Sequence, residues 1–390
     1  MAALTPHPRE TSDVVVPALS SSDFASLTSS SEGSATKVVP STQRILTLSP
    51  LKWISILGGL GVVSLMTFVL CLGFGAERIS FFQVVNILAQ GPFLQSENLE
   101  FPRHIILWQV RVPRILLAFM VGGSLAAVGA SLQALLRNPL ADPFVIGISS
   151  GAALGASVAI LFGVGLSILT LLVLPFCAFL GALLSILVVY RIAVSYGSFS
   201  IHALLLGGVV LNAIFSALVL FLTTLADPYK ASGMYAWLMG SLTGPDFQTV
   251  LVLAGYLLLG IFVLVSQASA LNLLTLGEEA ARSLGVEVER VKRVVFTASA
   301  LLTGAVVAFS GLIGFVGLIV PHAVRLMFGA DHRLLLLASG ILGGMFLMVA
   351  DTVARTLLSP AEIPVGVVTA LVGGPIFLYL LVQRRGKMAA

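Results

Sequence analysis

Gly147-Ile148-Ser149-Ser150-Gly151 has the G-x-S-x-G spacing that can lift a serine hydroxyl out of a sharp turn to attack a carbonyl. Such a nucleophile needs a general base within hydrogen-bond reach, and His202 and His322 are the candidates in the chain. No oxyanion motif accompanies the serine. In an apolar segment full of Gly and Ser the same residues serve close helix packing, which is the preferred reading, with an intramembrane serine hydrolase as the enzyme-class competitor. A phosphate-binding G-x-x-x-x-G-K-[ST] loop is missing, since the only Gly-Lys pair, Gly386-Lys387, is followed by Met388. ATP, if it is used, must therefore be bound by another subunit. H-E-x-x-H is missing too, and Cys71 and Cys177 lie far apart inside apolar runs, so neither a zinc nor a redox site is expected. The expectation is a chain with no catalytic residues, no resident metal and no cofactor.

An ion-coupled carrier predicts carboxylates at the membrane midplane, because proton and sodium relays need them. Asp351 is the one carboxylate inside an apolar segment, four residues before Arg355, where a helical ion pair accounts for it. Cations at segment ends are more promising. Arg111 and Arg114 flank Pro113 just before the second apolar segment, and Arg355 follows the ninth. As rim charges they either anchor helices at lipid headgroups or steer and dock an acidic partner.

The elements that position these residues follow from composition. Of the 390 residues, 58% are hydrophobic and 10% charged, against roughly 25% charged in a soluble protein. That excludes a soluble enzyme and supplies about ten membrane spans of roughly 20 residues each. The basic residues are dispersed rather than clustered with aromatics, so nucleic acid is not expected as a partner. Apolar segments run at 53–74, 113–135, 144–163, 166–191, 203–225, 250–271, 293–311, 312–328, 334–354 and 364–383. The third and eighth are short and rich in Gly, Ser or Pro, which predicts broken or partly re-entrant helices packed inside protein. The expected fold is an all-α integral membrane domain over 49–390. Residues 1–48 are Ser-rich without apolar period and are expected to form a disordered cytoplasmic tail. The first long apolar run begins only at Trp53, so the tail does not read as a secretory signal.

Orientation follows from charge. Six of the 21 Lys and Arg (Arg78, Arg103, Arg111, Arg114, Lys230 and Arg355) fall on one side of this arrangement and fifteen on the other. Positive charge collects in the cytoplasm, so both termini are expected there. The connection 75–112, outside, carries an amphipathic stretch (Ile79, Phe82, Val85, Leu88) suited to a membrane surface. The connection 272–292, inside, predicts a short helix, with capping-box spacing at Thr275 and Glu278 and Gly285 after the last periodic residue Leu284. A capped helix there is a docking surface.

Several motifs in order carry a resemblance: Trp108-Gln109-Val110-Arg111-Val112-Pro113-Arg114; Arg137 to Pro143 followed by Gly147 to Ala152; Leu276-Gly277-Glu278; Gly314 to His322; Asp331-His332-Arg333; and Glu362 to Thr369. Over about residues 53–386 the chain resembles the FecCD-type permease subunits of ATP-binding cassette (ABC) importers for iron siderophores, haem and cobalamin. The resemblance implies a ten-helix, cobalamin-importer-like permease of the type II class, embedded in lipid and paired as a homodimer around a translocation path. It implies two cytoplasmic ATPase subunits and an extracytoplasmic substrate-binding protein as partners. By the same resemblance Arg111, Arg114 and Arg355 receive acidic residues of the binding protein. Leu276, Gly277, Glu278, Ala281, Leu284 and Gly285 contact the ATPase, and Asn138, Leu140, Ser200, Ile201 and His202 form the inner gate. The cargo is a metal chelate passed intact, with ferric siderophore first, as the family's commonest cargo, and cobalamin and haem behind.

Overall fold

The computed structural model describes residues 50–388 apart from Ala76, 93–100, 164–169, 196–198 and Pro245. The tail 1–48 lies outside the described residues. Every described regular element is helical. In chain order these are α1 (Pro50–Gly73), α2 (Phe81–Gln90), α3 (Phe101–Ile105), a π-helical turn (Ile106–Arg111), α4 (Val112–Leu135), a 3-10 turn (Pro143–Ile146), α5 (Ile148–Leu161), α6 (Thr170–Val194), α7 (Ile201–Leu225), α8 (Pro228–Leu238), α9 (Phe247–Ser266), α10 (Ala268–Leu274), α11 (Glu278–Ser283), α12 (Val288–Ser310), α13 (Val316–Phe328), α14 (His332–Thr356) and α15 (Val365–Met388).

Among the described residues, seven helices are long and apolar enough to cross a membrane: Leu51–Gly73, Pro102–Leu135, Val173–Val194, Ile201–Leu225, Phe247–Ser266, Val288–Ser310 and His332–Thr356. Shorter apolar helices at Ile148–Leu161, Val316–Phe328 and Val365–Tyr379 fall where the sequence places the third, eighth and tenth segments. The second span departs from expectation at its start. Pro113 reads as a first helical residue, yet the helix continues back to Pro102. A proline removes one backbone donor and crowds the carbonyl four residues before it. The wider π turn at Ile106–Arg111 carries the helix through that crowding.

At the centre lies α4, buried along nearly its whole length. Small residues let its neighbours approach to backbone distance. A Cβ on Gly122 would sit 2.2 Å from the Gly343 carbonyl oxygen in α14, and one on Gly129 would sit 1.9 Å from the Gly317 oxygen in α13. The Gly151 and Gly155 face of α5 meets α6 in the same way, a Gly151 Cβ falling 2.5 Å from the Gly181 oxygen. This is the packing role expected of the Gly147–Gly151 motif. At the periphery α1 and α9 turn Leu51, Ile54, Leu251, Val252 and Phe262 outward, a surface suited to lipid. The short α2 is closed by a capping box between Ser80 and Gln83 and buries Val84 and Ile87. The predicted stripe divides there: Ile79 is buried and Leu88 packs inward, while Phe82 and Val85 point out.

Candidate functional site

The candidate site residues gather at two ends of the helix bundle. The first is built on the C-terminal end of α1, where the last carbonyls have no partner within the helix. Arg111 Nη1 donates to Leu72 O at 2.7 Å, and its Nη2 donates to Glu77 O. Arg355 Nη2 donates to Cys71 O at 2.6 Å. Two guanidinium groups thus hold the negative end of a helix dipole. Arg114 turns the other way. Its Nε and Nη2 hold Asp351 at 2.9–3.1 Å, while Nη1 and Nη2 make a fork to Glu362 at 3.1 and 2.9 Å.

All three arginines are buried, so they are not the exposed rim charges the sequence suggests. The physical reason is the supply of carbonyls and carboxylates beneath them. The Asp351–Arg355 helical pair is present at 3.8 Å, but Arg114 is the closer partner of Asp351. Only the Glu362 side of the network opens outward, its side chain 44% exposed against 10% for Arg114. Glu362 stands in a motif singled out from sequence, but no local spacing links it to Arg114, 248 residues away.

The second end unites segments far apart in sequence. The chain leaves α4 through a left-handed Arg137, with Arg137 N–H donating to Ala134 O and Asn138 N–H to Gln133 O. Asn138 Oδ1 then accepts from Leu140 N–H at 2.9 Å, closing a turn that leaves Leu140 exposed. Asp142 caps the following 3-10 turn by accepting from Phe144 N–H at 2.8 Å. Burial pushes its carboxyl up to about 6, with that hydrogen bond pulling the other way.

Beside this loop, α11 is a single helical segment of six residues. Its N-cap is Gly277, with no side-chain cap, so the expected Thr275–Glu278 capping box does not form. Thr275 instead ends α10 and donates its hydroxyl to Asn272 O. The expected C-terminal stop does form: Gly285 has φ +84°, its N–H donates to Arg282 O, and Val286 N–H donates to Ala281 O. Ala281 is fully buried, whereas Leu276 and Leu284 are exposed on either side of it.

Glu278 holds the two segments together. It lies 3.8 Å from Arg137 and 2.8 Å from the buried Lys292 ammonium. Lys292 also contacts Glu289 at 3.4 Å, and Glu289 Oε2 accepts from Phe199 N–H at 2.9 Å. The next residue, Ser200, caps α7 through Ala203 N–H, placing half-buried Ile201 and exposed His202 on its first turn. The candidate gate residues and the candidate ATPase-contact residues therefore share one end of the molecule. Lys292 and Glu289 were not singled out from sequence, and a buried lysine seven residues past a helix-stop glycine is a signal for such a knot only once Glu278 is placed.

A cavity of about 310 Å3 opens between α5, α7 and α8, with Ser149, Ser150, Asn212, Ser216, Thr223 and Tyr235 among its lining. Ser149 Oγ is buried without a hydrogen-bond partner, so no histidine is seated on it as a base. No group of three or more His, Cys, Asp or Glu among the described residues could hold a metal ion.

The comparisons with known proteins bear on the whole of this arrangement. A solved metal-chelate type ABC transporter in an inward-facing conformation superposes with a TM-score of 0.73 at 35% identity, covering 84% of this chain and 99% of that one. The cobalamin import system permease protein BtuC of Halobacterium salinarum is 46% identical over 280 residues, 72% of this chain and 74% of its own. The hemin transport system permease protein HmuU of Yersinia pestis is 44% identical over 277 residues, 71% of this chain and 83% of its own. A probable iron chelatin transport system permease protein of Helicobacter pylori is 38% identical over 320 residues, 82% and 95% of the two chains. The sequence profile of the FecCD transport family matches residues 63–383, which takes in both ends just described, and the chain belongs to that family.

Proposed function

We propose that the chain is the membrane permease subunit of an ABC importer that passes an intact metal chelate through the cytoplasmic membrane, powered by separate ATPase subunits. The observation that carries this reading is the Glu278 knot. It joins a short helix with exposed leucines to the two segments matching the family's gate, an arrangement suited to receiving force at a surface and using it at a pore. Relatives named for cobalamin, hemin and iron chelatin support metal chelates as the cargo class. Within that class a ferric siderophore is the first cargo to test, with cobalamin and haem next.

The working assembly in this reading is a homodimer with two ATPases and an extracytoplasmic substrate-binding protein. Both termini lie in the cytoplasm, in keeping with the charge asymmetry of the loops. Leu276 to Gly285 meet the ATPase, and Asn138, Leu140 and Ser200 to His202 form the inner gate. At the opposite end, in keeping with the family resemblance, Arg111, Arg114 and Arg355 are the positions that receive acidic residues of the binding protein. Proteoliposomes holding the permease, its ATPase and its binding protein test the reading. Radiolabelled ferric siderophore, cobalamin or haem should accumulate only when ATP is supplied to the ATPase side. Accumulation driven by an imposed ion gradient without the ATPase would overturn it, and loss of a proteolytic activity in Ser149→Ala would favour the hydrolase instead.

A further inference from the structure

We propose that Glu289 is the positioning residue that carries movement of α11 to the start of α7, through the hydrogen bond it accepts from Phe199 N–H. The inference rests on the reading that α11 meets the ATPase and that residues 200–202 belong to the gate.

The link is continuous in space. Glu278 begins α11, and its Oε2 holds Lys292 Nζ at 2.8 Å. The Lys292 side chain is 5% exposed, and a buried ammonium is tolerated only while its carboxylates stay with it. Its second carboxylate, Glu289 Oε1, is 3.4 Å away. The remaining oxygen of Glu289 crosses to Phe199 N–H at 2.9 Å. Arg282 adds a brace, lying 3.9 Å from Glu278 and 3.6 Å from Glu289. Phe199 is itself held, buried against the stacked rings of Tyr190 and Phe296 with centroids 6.3 and 5.7 Å away. That aromatic contact ties the segment to α6 and α12, so a pull on its amide turns the chain about a fixed ring rather than dragging it free. One residue later Ser200 starts α7. A second arm runs from Glu278 to Arg137 and so to the 138–141 turn, so that both gate segments answer to the same carboxylate.

Uptake and ATP hydrolysis measured in the same proteoliposomes, with permease, ATPase and binding protein present, give chelate moved per ATP. The probe is whichever of radiolabelled ferric siderophore, cobalamin or haem the unaltered permease accumulates. Glu289→Ala should still bind the ATPase and hydrolyse ATP, but move about tenfold less chelate per ATP, within the usual range of a coupling free energy. Glu289→Asp keeps two carboxylate oxygens, one for Lys292 and one for Phe199 N–H, on a shorter stem and should recover part of that ratio. The proposal is overturned if Glu289→Ala keeps the ordinary ratio, if Glu289→Asp recovers none of it, or if uptake, hydrolysis and thermal stability fall in parallel with the ratio unmoved. The underlying reading fails by a different result: ATPase association undiminished when exposed Leu276 and Leu284 are both replaced by Asp.

Discussion

Arg114 shows how differently a residue can read in sequence and in space. As one of two arginines beside a proline it looks like a surface charge, and only the partners 237 and 248 positions away reveal it as the tie between α4, α14 and the approach to α15. Its replacement therefore separates two effects. Arg114→Ala leaves fully buried Asp351 with the more distant Arg355 alone, and should cost about 3–5 kcal/mol of stability, seen as a lowered unfolding midpoint in detergent. Glu362→Gln removes a half-exposed partner and should cost under about 1 kcal/mol. Only the second variant can report on capture of a binding protein without also reporting on folding. Asp142 offers a pH test at the same scale. Its folded-state value of about 6 lies above the ordinary 3.8, so the folded state holds the proton more tightly and stability falls as pH climbs from about 4 to 6. Asp142→Asn keeps a capping oxygen for Phe144 N–H. It should match the unaltered protein near pH 4 and exceed it above pH 7 by on the order of 2–3 kcal/mol, read from unfolding midpoints across that range.

Among the elements, helix positions were legible because 20-residue apolar runs have few other uses, and the C-terminal stop of α11 was legible because Gly285 needs its left-handed backbone. Its start was not, since Gly277 serves as N-cap where Thr275 and Glu278 had the right spacing. The continuation of α4 back through Pro113 was hidden for a related reason: a proline marks a helix start unless a wider turn absorbs it. Close helix crossings were foreseeable as a class from small residues, but their partners were not. Gly129→Ala tests one of them. With a Gly317 backbone oxygen 1.9 Å from the new Cβ, α4 and α13 must separate, at a cost of about 1–3 kcal/mol or more, measured by thermal unfolding. Ala281→Pro tests α11 itself. It removes the N–H that donates to Gly277 O, so the six-residue helix should be lost and uptake uncoupled from ATP hydrolysis, while the binding protein still associates at the far end.

For the whole molecule, the family and the ten-segment plan were readable from motifs and hydropathy, whereas the separation of a carbonyl-capping arginine end from a Glu278-centred end appears only in three dimensions. That separation is what a coupled permease needs and a passive pore does not: one end to receive substrate, the other to receive force. The most direct test places the permease, its ATPase and its binding protein in proteoliposomes and compares chelate uptake in the unaltered permease and Ala281→Pro, each with and without ATP. Uptake that requires ATP and is abolished in Ala281→Pro, with hydrolysis and binding-protein association retained, is the predicted result. Equal uptake by both permeases, or uptake indifferent to ATP, would contradict it.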